Sequence, residues 1–185
     1  MADLKCIICG MTINSKNYMI NKSAFLSDNE YNEISYCPFC GAGKEYLIEN
    51  GELIRVDEKV DERTSIILDH AMKLEVFNGD FYNKASMFAE DENIKSLFKA
   101  LSNIEYMHAK IHQKLGGFTE LPILRDMDYS KFTSSSELLA IARKREEHAV
   151  HYYNKYSKDV CDDKISFIFK ALARVESDHI ILTTK

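Results

Sequence analysis

From Thr64 almost to the end of the chain, apolar residues recur every three to four positions. Ile67, Ala71, Leu74, Phe81, Ala85 and Phe88 mark the first stripe, the spacing of a helix with one buried face. The pattern predicts a helix over about 64–87. Ala89-Glu90-Asp91-Glu92 then makes a tight connection, with Asp91 as N-cap of a second helix over about 92–115. Gly116-Gly117 ends that helix in the left-handed way. Ser134 with Glu137 reads as a capping box for a third helix, about 135–157, and Asp162-Asp163 caps a fourth, about 164–183. Two links are short, and the middle one, Gly116 to about Ser134, is long. A helix of about 24 residues spans about 36 Å. The middle link reaches about 63 Å when extended, enough to return along the whole bundle. The expected fold is mainly α: a four-helix bundle with a long crossover between helices 2 and 3.

Residues 1–50 lack this period. They hold two C-x-x-C pairs, Cys6-Ile7-Ile8-Cys9-Gly10 and Cys37-Pro38-Phe39-Cys40-Gly41. Each pair turns both sulfurs toward one ion, and the following glycine permits the close turn. Four thiolates make a tetrahedral site for zinc or a single iron. About 50 residues with little core of their own need such a staple. The chain therefore divides into a metal-stapled unit (1–50), a charged linker (51–63) and the bundle (64–185).

An internal repeat carries the chemistry of the bundle. Ala71-x-x-x-Glu75 returns as Ala142-x-x-x-Glu146, and Glu105-x-x-His108 returns as Glu176-x-x-His179, all 71 positions apart. Phe98-Lys99-Ala100-Leu101 and Phe169-Lys170-Ala171-Leu172 share the same offset. Glu and His three apart project from one helix face, so both reach one metal. Two such pairs plus one Glu from each other helix give four carboxylates and two imidazoles, the di-metal pattern of helical bundles. Glu105 and Glu176 are the expected bridges, Glu75 and Glu146 the terminal ligands, and His108 and His179 cap one ion each. Two divalent ions, iron or manganese, would neutralise carboxylates that are otherwise costly to bury. Tyr82 and Tyr153 lie seven residues after Glu75 and Glu146. They face the ligands, either bonding a carboxylate or bound peroxide or simply packing. His112, whose repeat partner is Thr183, is expected at a bundle-end surface. Glu147, His148 and His151 are expected to be solvated, and Cys161 to be an ordinary thiol.

Charge and composition narrow the classes. The chain has 29 acidic and 24 basic residues, a net charge of −5, which argues against a general nucleic-acid binder. The odd number of cysteines, 5, does not suit a secreted disulfide framework. The opening residues carry no apolar signal core and no run approaches 18 apolar residues. A reducing cytoplasmic setting, without membrane partners, is the expectation.

These motifs together resemble the rubrerythrin family. Cys37-Pro38-Phe39-Cys40-Gly41-Ala42-Gly43-Lys44 is similar to the second knuckle of rubredoxin-type domains, and the bundle carries the order Glu75, Glu105, His108, Glu146, Glu176, His179. The resemblance covers nearly the whole chain. It implies a ferritin-like di-iron bundle that reduces hydrogen peroxide, or dioxygen, with electrons relayed from a rubredoxin-like iron and refilled by a reductase. It also implies a cytoplasmic homodimer. The rubredoxin-like unit is N-terminal here, as in a reversed-order subgroup. Met11 follows the first knuckle where the family usually has an aromatic, and Ala149 stands where it often has a further Glu. The alternative is a ferritin-like iron-binding or ferroxidase module with a structural zinc ribbon.

Overall fold

The computed structural model describes residues 3–56, 59–129, 131 and 134–184. Parts of the expected linker (57–58) and of the crossover (130, 132–133) lie outside the described residues. Four helices dominate: α1 (Glu62–Phe88), α2 (Glu92–Gly116), α3 (Ser135–Tyr156) and α4 (Asp163–Leu182). Near the N-terminus, β1 (Leu4–Cys6) lies between β2 (Thr12–Ile13) and β3 (Leu47–Glu49) in an antiparallel sheet. Leu4 pairs with Ile13 on one side and with Glu49 on the other.

The caps explain the helix bounds. α1 starts two residues before the expected Thr64 because the Asp61 carboxylate caps it, accepting the Thr64 N–H at 2.7 Å. Asp91 accepts the N–H groups of Asn93 and Ile94, and Asp162 that of Lys164. Ser134 Oγ accepts the Glu137 N–H and in turn donates to the Glu137 carboxylate. Gly117, at φ 65°, closes α2 in the left-handed region.

α1 pairs with α2, and α3 with α4, as hairpins; α1 also touches α3, and α2 touches α4. The crossover runs over the outside of the first hairpin. Phe118, Leu121 and Leu124 pack on Met72, Val76 and Ala109, and the Lys84 ammonium pairs with Asp126. Tyr129 closes against Phe81, ring centroids 5.2 Å apart. None of the helices is long and apolar enough to cross a membrane, among the described residues.

The N-terminal unit is docked, not merely tethered. Ile8, Ile13, Ile34, Ala42 and Tyr46 share one continuous core with Leu68 of α1, Ile111 of α2 and Ile165, Ile168 and Leu172 of α4. Gly41 makes the closest approach. Its φ is +72°, and a Cβ there would lie 2.6 Å from Val175 Cγ1, one residue before Glu176. Gly10 has a similar φ of +79° but faces only the flexible end of Leu53, at 3.2 Å. Gly41→Ala is therefore expected to cost about 2–3 kcal/mol, backbone strain plus overpacking, and Gly10→Ala about 1–2. Urea titration of the two variants side by side checks the order.

Candidate metal centres

The four cysteines converge. Cys6 Sγ lies 3.7 Å from Cys40 Sγ and Cys9 Sγ lies 3.6 Å from Cys37 Sγ. A tetrahedron with metal–sulfur bonds of about 2.3 Å has edges of about 3.8 Å, so the spacing fits one ion. The two knuckles share a backbone pattern: Gly10 N–H donates to Cys6 O at 2.8 Å, and Gly41 N–H to Cys37 O at 2.9 Å. All four side chains are buried and none is in a disulfide. Burial pushes the Cys37 and Cys40 thiols well above the ordinary thiol range. A metal cation is what would hold these thiols as thiolates at neutral pH.

Within the bundle, all six repeat-related ligands meet and are buried. Glu75, Glu105, His108 and Glu176 offer ligand atoms within 4.8 Å of one another, and so do Glu105, Glu146, Glu176 and His179. The two groups share Glu105 and Glu176, the two residues that the repeat nominates as bridges. Several of these atoms are buried without a hydrogen-bond partner, among them both Glu105 oxygens, Glu75 Oε2, Glu146 Oε2 and Glu176 Oε1. Native interiors rarely leave such groups unmet. Orphaned carboxylate oxygens and imidazole nitrogens facing one another make a donor set that suits two divalent ions.

Without ions the same groups sort their protons unequally. Burial, reinforced by the charges of Glu105 and Glu176, raises Glu75 and Glu146 well above the ordinary carboxylate range. Burial opposes ionisation of Glu105 and Glu176 too, but His108 and His179 outweigh it and both end lowered. Burial likewise opposes the charged imidazoles, yet the carboxylates prevail: His108 is raised and His179 is pushed up to about 10. The shifts favour a proton on each of Glu75, Glu146, His108 and His179 when no cation is bound.

The surroundings fix the ligands. Tyr82 on α1 donates its hydroxyl to Glu146 on α3, and Tyr153 on α3 donates to Glu75 on α1. Both tyrosines are therefore ligand partners as well as core residues, each reaching across to the other half of the repeat. His112 is not at a surface as expected. It is fully buried, 2.7 Å from the Tyr153 hydroxyl through Nε2. Because Tyr153 donates to Glu75, the hydroxyl accepts from His112 Nε2–H. The repeat position misled: Thr183 is buried too, its hydroxyl bonded to the His179 carbonyl, so neither residue faces water. The signal that could have placed His112 inward is its position one turn after His108. Glu147, His148 and His151 are exposed, and so is Cys161.

Burial, then the charge of His108, lowers His112 to about 3. A depressed histidine stabilises the fold above its unfolded pKa of about 6.5 and loses that contribution as pH falls. Between pH 7 and 5 the loss should be about 2 kcal/mol. His112→Gln is expected to flatten this part of the acid limb, as read by urea unfolding at several pH values.

One contact joins the two centres. His108 Nε2 lies 2.9 Å from the Cys40 carbonyl oxygen and donates to it, which turns Nδ1 toward Glu176 Oε1 at 2.9 Å. His179 also aims Nδ1 at Glu176, at 2.9 Å, but its Nε2 has no partner. The repeat is symmetric at the ligands and asymmetric just outside them. The arrangement defines a four-helix bundle with two adjoining buried Glu/His clusters that could each hold a metal ion, joined by one hydrogen bond to a four-cysteine site on a small docked unit. Comparison with family models, curated proteins and solved structures returns no match.

Proposed function

We propose that the chain is a rubrerythrin-type di-iron oxidoreductase that reduces hydrogen peroxide with electrons passed from a four-cysteine iron site. The observation that carries this reading is the His108–Cys40 hydrogen bond of 2.9 Å. It links a ligand of one centre to the backbone of a ligand of the other, within one chain. Such a short covalent and hydrogen-bonded route would serve electron transfer between the two centres, a use that a purely structural zinc staple would not make of it.

Peroxide reduction takes two electrons and two protons and yields two waters. Two bound ferrous ions would supply both electrons within one site. The residues do the rest. Glu75, Glu105, Glu146 and Glu176 would hold the two ions and keep the charge of the site near neutral, and His108 and His179 would add neutral nitrogen ligands. Tyr82 and Tyr153 hold Glu146 and Glu75 in orientation through their hydroxyl protons. His112 Nε2–H fixes the Tyr153 hydroxyl so that its proton points at Glu75. Phe81, Phe98 and Phe169, all fully buried, exclude water from the flanks. A cytoplasmic reductase would refill the four-cysteine site.

A second reading follows from Ala149, which is fully buried where the family often has a carboxylate. It is an iron-binding or ferroxidase module whose four-cysteine site holds zinc. One experiment separates the two. Protein purified anaerobically from an iron-replete culture, then reduced, is mixed with peroxide in a stopped-flow spectrometer. The first reading expects iron–thiolate absorbance to return within seconds. A colourless, zinc-filled cysteine site, or no reoxidation, sinks it.

A further inference from the structure

On the outer face of the bundle, a groove of about 720 Å³ runs between residues of α1 and α3. That is the size of a small-molecule site. We propose that this groove binds a small organic anion with an apolar body. The proposal is independent of the redox reading, since none of the metal-ligating residues lines the groove.

The groove owes its character to divergence of the repeat. Leu74 and Phe77 on the α1 wall occupy the positions that Arg145 and His148 occupy on the α3 wall. At these two positions α1 is therefore apolar and α3 is polar, with the Arg145 guanidinium as its fixed charge. Lys73 and its repeat partner Lys144 add an ammonium to each rim, Lys73 being paired with Asp69 at 2.6 Å. Ile141 and Tyr152 extend the apolar lining. Phe77 is 37% exposed although it lines a concavity.

The charged lining is all basic: Lys73, Lys144 and Arg145. Among the described residues no carboxylate lines the groove, in a chain where acids outnumber bases by 29 to 24. Arg145 is the anchor. Its guanidinium lies 4.2 Å from the Phe77 ring centroid and 4.4 Å from that of Phe81, and one nitrogen donates to the Tyr129 hydroxyl at 2.9 Å. Nε and Nη1 have no partner, nor does Nδ2 of Asn78, a groove residue only 3% exposed. Unpaired donors beside a pre-stacked guanidinium call for an acceptor that carries negative charge. The aromatic and aliphatic wall opposite calls for an apolar body on the same molecule. A carboxylate, sulfonate or phosphate on a flat or linear hydrocarbon frame meets both demands.

The probe for the test is 8-anilinonaphthalene-1-sulfonate, with uncharged N-phenyl-1-naphthylamine as its control. Fluorescence titration of the full metal-loaded chain should give one saturable site per chain for the sulfonate, weakening as salt rises. Lys144→Glu/His148→Glu, both exposed and outside the metal centres, should weaken the sulfonate tenfold or more. The same change should leave the neutral probe within twofold. Circular dichroism of the double variant confirms that it is folded. Arg145→Leu is a second variant with the same expected direction. Sulfonate affinity indifferent to charge reversal would overturn the proposal. So would a groove closed to both probes because a second copy covers it, as read by light scattering.

Discussion

Glu105→Ala is expected to take bundle metal from two ions per chain to below one, while metal at the four-cysteine site is retained. The reason is geometric. Glu105 belongs to both ligand groups, so its removal strips each position of a bridging carboxylate and leaves three ligands apiece. Glu75 belongs to only one group. Glu75→Gln should therefore lose about one ion and leave the other, since a metal site depends on its own ligand count. The two variants also differ without metal. Glu75 is already raised toward the neutral acid in the metal-free site, so glutamine is a near-isostere there and should be close to neutral in stability. Glu105 balances two buried imidazoles, and its loss should cost about 3–5 kcal/mol. Elemental analysis of the purified variants and chemical unfolding of the chelated forms read both contrasts. Equal metal loss in the two variants would contradict the bridging assignment.

Filling the bundle with two divalent ions is expected to release about four protons at pH 7. Glu75 and Glu146 are raised by burial, and His108 and His179 are raised by the bridging carboxylates. Each must give up a proton to become a ligand. Calorimetry of ferrous or manganous ion in buffers of different ionisation enthalpy measures the number. One or two protons would mean that the metal-free site is largely deprotonated. The same four groups set the alkaline limb of the metal-free fold. A raised pKa stabilises the folded state below the unfolded value and is lost as pH rises through the folded one, for His179 up to about 10. Glu105 and Glu176, being lowered, contribute above the unfolded carboxylate value and are lost as pH falls. Chelated protein should lose stability steadily above neutral pH, and metal-loaded protein should not.

The legible part of the molecule was the part written in local periods. Asp61 is the exception among the helix starts: it caps α1 from within a run of charges that hides the boundary, whereas Asp91, Ser134 and Asp162 precede visible stripes. The ligand set was readable because the repeat puts the same residue types in the same register twice. His112 was not, because burial at a helix end depends on what packs over it. Here Tyr153 and Phe169 close against it, with ring centroids 5.6 and 5.5 Å away.

By itself the sequence determined four helices, the caps of the last three, the crossover length, two cysteine knuckles and six candidate bundle ligands in matching register. Those follow from spacing along one chain, where hydrogen-bond geometry and side-chain periodicity act over a few residues. Only the tertiary structure decided how the halves address each other. Tyr82 crosses to Glu146 and Tyr153 to Glu75; Gly41 lets the cysteine unit settle on Val175; His108 meets the Cys40 carbonyl. Each joins residues 64 or more positions apart. Such pairings depend on how whole elements pack, and no local period encodes them.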